Sequence, residues 1–204
     1  MAGVYFYVPT GKIRDIIDCG IKLSEWYDRE LELPGQGFKK VIRALVNPWD
    51  DILKSKDPAY RCLRLEVNPD SCMVGDTDLY HIGQKEQAIL ERYRKTLVSL
   101  SEYRFGLYRN PECLVFTSIL PDHIEVTGKV QDIPVLFENS KNLYSGNIMD
   151  SLEEGLQDSG NTLVYAYCRY IESVGGMRSL EDKELGLTLF IDTKTDAYIV
   201  TRIP

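Results

Sequence analysis

Apolar residues come along this chain in short runs rather than long ones, and the runs change period. Residues 4–8 (VYFYV) are β-branched and aromatic, and Pro9-Thr10-Gly11 stops them, which predicts a strand and a turn. Thr10 is placed to cap a helix over residues 12–19, with Ile13, Ile16 and Ile17 on one face and Gly20 as its terminal glycine. Residues 21–23 then resume in extended form. Residues 24–32 (SEWYDRELE) read as polar and aromatic, followed by a loop over 33–37. Residues 40–46 (KVIRALV) predict a strand, because Asn47-Pro48 disfavours a helix there. Pro48 then opens a short helix to residue 53, with Asp50 and Asp51 in its first turn. Residues 60–67 (YRCLRLEV) alternate as a half-buried strand does, Asn68-Pro69-Asp70 turns it, and residues 72–74 extend the sheet.

The longest helical period covers residues 84–100, with Tyr93, Leu97 and Leu100 on one face. An aromatic and arginine-rich stretch, residues 103–109, leads into residues 110–126 (NPECLVFTSILPDHIEV), the most pointed segment of the chain. There Glu112 stands directly before Cys113-Leu114-Val115-Phe116, a run suited to a buried central strand, and Pro121 turns the chain out of the sheet. A carboxylate at the mouth of such a strand is either exposed at a sheet edge or held there for chemistry. Beyond it the pattern predicts a short apolar run at 133–137 and helices at 142–157 and 162–173. The second helix is apolar nearly all round and therefore expected to be buried. A terminal hairpin over 187–203 turns at residues 192–195. Strands and helices intermix without a steady βαβ rhythm, so the class is α+β with a mixed, mostly antiparallel sheet. The expected organisation is one domain, residues 1–137 forming its core and 138–204 a helical and hairpin extension.

Composition narrows the function classes. The 204 residues carry 31 acidic and 24 basic side chains, a net charge of −7, which argues against nucleic-acid binding over the whole surface. Arg92, Arg94, Lys95, Arg104 and Arg109 keep a local basic patch open. Five cysteines without a C-x-x-C spacing read as reduced, buried thiols. No signal-like segment and no bilayer-length apolar run occurs, so a cytoplasmic protein without membrane contact is expected. The two histidines, His81 and His123, show no ligand spacing, so no metal is expected. Walker-type, G-x-G-x-x-G and G-x-S-x-G motifs are absent. The 13 tyrosines remain, several grouped at strand ends: they pack cores and rims, or flank a planar ligand.

At this point a resemblance enters. Tyr5-Phe6-Tyr7-Val8-Pro9-Thr10 and the helix ending Cys19-Gly20-Ile21 are similar to the opening of ADP-ribosyltransferase-like domains, the diphtheria-toxin and DNA-targeting kinds among them. Arg43-Ala44-Leu45-Val46-Asn47-Pro48 resembles their second strand, and Pro111-Glu112-Cys113-Leu114-Val115 their catalytic-glutamate strand. The order covers residues 4–126. Tyr7 stands where many members have His, and Val46-Asn47 where they have a Ser-Thr-type run. The resemblance implies NAD as substrate, with Glu112 stabilising the oxocarbenium formed when the nicotinamide–ribose bond breaks. It also implies Tyr7, Thr10, Arg43, Asn47 and Tyr108 as NAD-binding residues, Tyr7 and Tyr108 holding the nicotinamide. Arg43 or Arg14 would pair with the pyrophosphate, and residues 103–110 would face the acceptor, whether nucleic acid, protein or small molecule. The competing reading is a non-catalytic α+β domain that binds a nucleotide or a protein. A homodimer through an edge strand is a further expectation.

Overall fold

The computed structural model describes residues 2–33, 37–127 and 160–204. It is an α+β fold: an eight-stranded antiparallel sheet flanked by short helices, with a second, three-stranded sheet packed against it. Its elements are β1 (Ala2–Pro9), α1 (Ile13–Cys19), α2 (Leu23–Trp26), β2 (Arg29–Leu33), β3 (Gly37–Leu45), α3 (Ile52–Lys56) and β4 (Tyr60–Val67). There follow β5 (Cys72–Asp76), α4 (Thr77–Gly83), α5 (Gln87–Thr96), β6 (Val98–Ser99), β7 (Pro111–Val115) and β8 (Ile124–Val126). After a helix over residues 160–173 (α6) come β9 (Met177–Asp182), β10 (Leu187–Asp192) and β11 (Tyr198–Arg202). The large sheet runs β6-β5-β7-β3-β1-β4-β8, with β2 also paired to β3; the small one runs β11-β10-β9.

β7 lies between β5 and β3, and the sheet is covered on both faces there, which is why residues 113–115 read as a continuous apolar run. Cys113 and Val115 enter one core cluster with Val4, Val8, Ile16 and Leu63. Leu114 enters the other, with Leu79, Ile82, Tyr93, Leu189 and Val200. By strand alternation Glu112 shares the face of Leu114, under α4, α5 and the small sheet. The first cluster is closed by α1. Gly20 ends that helix at φ 75°, and a Cβ there would lie 2.4 Å from the Ile119 carbonyl oxygen, so only glycine lets the two segments meet.

Several expectations change. Thr10 does not cap α1: its hydroxyl donates to the Pro58 and Ala59 carbonyls (3.3 and 3.0 Å), tying the end of β1 to the turn before β4. The segment 24–32 ends in β2, which continues to Leu33 where a loop is expected, and whose Leu31 and Leu33 alternate inward. The helix at Pro48 is a 3-10 turn (Pro48–Asp50) capped by Asn47, and α3 follows it, capped by Asp51. The long helix at 84–100 resolves into α5 preceded by α4, with Leu97 already extended. Residues 162–173 are helical but not buried all round. Leu163, Tyr167 and Tyr170 face outward, 73, 60 and 63% exposed, while Arg169 turns inward to Glu172 and Ser179. The terminal hairpin is present as β10 and β11, and β9 adds a third strand. The run at 133–137 and the helix at 142–157 lie outside the described residues. Four cysteines are buried, Cys19 is exposed, and none is disulfide-bonded. Among the described residues no helix is long and apolar enough to cross a membrane.

Candidate functional site

The sheet delivers one fully buried carboxylate to its helix-covered face. Glu112 pairs in register with Leu45 of β3 and Gly75 of β5, and its side chain has no solvent exposure. A buried charge needs partners, and three converge on it. Tyr93, from α5, donates its hydroxyl to Oε1 at 2.6 Å. Arg29, from β2, forms an ion pair with the same oxygen and donates to the Tyr93 hydroxyl at 3.1 Å. Its guanidinium also stacks on the Tyr80 ring, 3.7 Å from the centroid. Arg43, from β3, places Nε 3.0 Å from Oε2. That is ion-pair distance, but the N–H is not aimed at the oxygen, so neither Arg43 Nε nor Glu112 Oε2 has an aligned hydrogen bond.

The electrostatics follow from this packing. Burial pulls the Arg29 guanidinium down, but the charge of Glu112 and its hydrogen bond outweigh it and hold the group above its ordinary value. Burial, then the Glu112 charge, pushes the Tyr93 phenol up, so it stays a donor. His81, half-buried on α4, is held below its ordinary value by burial and by Arg43, against the opposing pull of Glu112.

Gly75 makes room for this arrangement. A Cβ there would stand 2.8 Å from Tyr93 Cε2, 2.9 Å from its hydroxyl oxygen and 2.7 Å from Leu97 Cδ2. Gly75→Ala is therefore expected to displace the Tyr93 ring and cost about 1–3 kcal/mol. Urea unfolding would check it. In a Tyr93→Phe background the cost should shrink, because the hydroxyl is gone; an undiminished cost would point to Leu97 as the obstacle instead.

The residues singled out from the sequence fall into three places. Glu112, Arg43 and Tyr7 lie on one face of the neighbouring strands β7, β3 and β1. Tyr7 and Arg43 share a small pocket of about 40 Å³ with Asp51 and Lys54, and Arg43 reaches Glu112. The Tyr7 hydroxyl donates to the Pro48 carbonyl at 2.9 Å, at the turn that Asn47 caps, and burial raises its pKa. Tyr108 is elsewhere, on a large cleft, with its hydroxyl bonded to the Thr96 carbonyl. Thr10 is at the far end of β1, and Arg14 lies on exposed α1, whose Ile16 packs on the opposite face of the sheet. The sequence does not mark Arg29, Tyr93 or Gly75 as neighbours of Glu112, and it offers His81 only as a metal ligand without ligand spacing. Arg29 lies in a segment whose pattern is polar, and Tyr93 falls on the apolar face of a helical period, where it reads as packing. The one available signal was indirect: a glutamate in an apolar central strand demands cations from somewhere.

Searches of protein-family models, curated proteins and solved structures found no match to this chain.

Proposed function

We propose that the chain is an ADP-ribosyltransferase-like enzyme that cleaves the nicotinamide–ribose bond of NAD, with Glu112 as the stabilising carboxylate. The observation that carries this reading is Glu112 Oε2, a fully buried acceptor without an aligned donor, beside an arginine that is one-third exposed. Buried acceptors are ordinarily satisfied, so an open one suits a ligand hydroxyl. Oε1, held by Tyr93 and Arg29, fixes the carboxylate, and Oε2 is left to accept from a ribose hydroxyl and to face the positive charge that grows on the ribose. The C1′–N bond breaks with its electron pair leaving on nicotinamide. The acceptor's nucleophile then closes on C1′ and loses its proton to solvent.

The pocket at Tyr7 and Arg43 has room for little more than one water molecule. NAD therefore requires the Arg43 and Lys54 side chains to swing outward. Both are cations suited to a pyrophosphate, and their departure toward it would unmask the charge on Oε2. The second reading, a non-catalytic nucleotide- or protein-binding domain, is favoured by the same burial: two guanidiniums neutralise Glu112 as it stands.

The test is nicotinamide release from NAD, read by chromatography beside a thermal shift with NAD, ADP-ribose and nicotinamide. Wild type should release nicotinamide and melt higher with NAD. Glu112→Gln should lower turnover about 100-fold or more. Arg43→Ala, at the more exposed arginine, should weaken the NAD shift while the chain stays folded. Neither release nor shift in wild type would sink the enzyme reading and leave the binding one.

A further inference from the structure

Helix α6 carries an apolar stripe that faces away from the small sheet it packs on. The outward side chains Leu163, Tyr167 and Tyr170 are joined by Val174, 64% exposed. Val174 continues the helical period, since its N–H still donates to the Tyr170 carbonyl at 3.3 Å. At about 100° per residue the four fall within roughly 60° of one another, an apolar seam about three turns long. They expose roughly 500 Å² of side chain, as much as the largest apolar patch that an ordinary monomer leaves open. The other face of α6 is satisfied. Cys168 is buried, Tyr165 packs edge-on against Phe190 of β10, and Arg169 pairs with Glu172 and with Glu181 of β9. Arg169 and Glu172 are the only charged residues from 160 to 174, so the outward face has none.

We propose that α6 is a self-association surface, through which two copies of this chain form an antiparallel, two-fold dimer. Two properties of the stripe name a second copy as its occupant. It reads alike from either end: an aliphatic residue, a tyrosine four positions on, a tyrosine three further, and an aliphatic residue four further. Two such helices laid antiparallel set Leu163 against Val174 of the second copy, and Tyr167 against its Tyr170, along the whole seam. A two-fold contact also sets a face against itself, so any charge on it would meet its like. This face carries none, although the chain has a net charge of −7. A lipid surface fits less well, because helices lying in a bilayer interface carry Lys and Arg beside the apolar face, and the one basic residue of α6 is already paired. The surface shares no residue with the Glu112 site, so the two proposals stand or fall separately.

Sedimentation equilibrium of the full chain over roughly 1–200 µM should show monomer and dimer in exchange. The dissociation constant should be about 10 µM, because the seam is smaller than the ~800 Å² per partner of a standard interface. Tyr167→Glu should weaken the dimer at least tenfold, since it buries a carboxylate against a tyrosine ring. The position is exposed in the single chain, so the variant should melt as wild type does. Mixing variants tests the register. Tyr167→Glu should pair severalfold more tightly with Tyr170→Lys, whose ammonium lies opposite, than with Tyr167→Lys, where the charges are offset. A wild type that stays monomeric to the top of the range, a dimer that Tyr167→Glu leaves intact, or a mixing preference that is absent or reversed overturns the proposal.

Discussion

Arg29→Met is expected to destabilise the fold by about 3–5 kcal/mol, a large fraction of the roughly 5–15 kcal/mol that holds a domain together. The guanidinium is only 10% exposed and the carboxylate it pairs with is not exposed at all. Removing it leaves Glu112 in the core with the Tyr93 hydroxyl and one misaligned arginine, and it strips the Tyr80 ring of its cation. Most of the cost is the stranded charge, not the lost attraction. The double variant Arg29→Met, Glu112→Leu should therefore recover most of the loss, since no buried charge remains and Arg43 can turn to water. Arg43→Met alone should cost less than Arg29→Met, because Arg43 is 35% exposed and makes no aligned bond. Urea midpoints for the four proteins decide the matter. A cost for Arg29→Met under about 1 kcal/mol would mean that water reaches Glu112 and that the pair behaves as a surface one. The same arithmetic bears on the enzyme reading. Lost turnover in a Glu112 variant counts only if the variant is still folded, so stability and turnover have to be measured on the same sample.

The sequence announced strands better than it announced their partners. β4 is readable to the residue because its alternation is local, and residues 113–115 of β7 because a strand segment covered on both faces is apolar on both. α4 was hidden. Its Leu79 and Ile82 continue into the period of α5, and the break at Gly83 is set by packing, where a Cβ would lie 2.9 Å from the Leu90 backbone. β2 and β9 are short and half charged, so only their pairing with β3 and β10 identifies them as strands. Periodicity also could not say which face of α6 is covered: a nearly all-apolar helix turned out to present Leu163, Tyr167 and Tyr170 to the outside. The candidate site divides along the same line. Glu112 stands out because a charge is anomalous in its local context. That Arg29 is its partner is a fact of tertiary structure, 83 residues away in sequence, and nothing near either residue encodes it.

Asp76→Asn is expected to stabilise the protein at neutral pH and to do so less as the pH falls. Asp76 is 2% exposed, and burial, reinforced by the charge of Asp78, pushes its carboxyl up to about 6 from 3.8. The N–H groups of Leu79 and Asp78 and the Tyr198 hydroxyl pull the other way without overcoming it. Because the folded-state value lies above the unfolded one, this group's stabilising contribution is fully present below about pH 3.8. It is lost as the pH rises through about 6. The whole effect is worth roughly 3 kcal/mol, of which about 2 kcal/mol falls between pH 4.5 and pH 7.5. Asparagine keeps the oxygen that accepts from the Asp78 and Leu79 N–H groups at the start of α4, and it cannot ionise. The stability difference, variant minus wild type, should therefore grow by about 2 kcal/mol from pH 4.5 to pH 7.5. Subtracting wild type removes the contributions of Asp182, Asp192 and Asp196. These are held low by hydrogen bonds to Lys85, to backbone N–H groups and to Arg92 respectively, and they titrate alike in both proteins. A difference that stays constant with pH would show that Asp76 is no harder to ionise in the folded chain than in the unfolded one. It would also mean that water enters the cleft beside Tyr198 far enough to solvate the carboxylate.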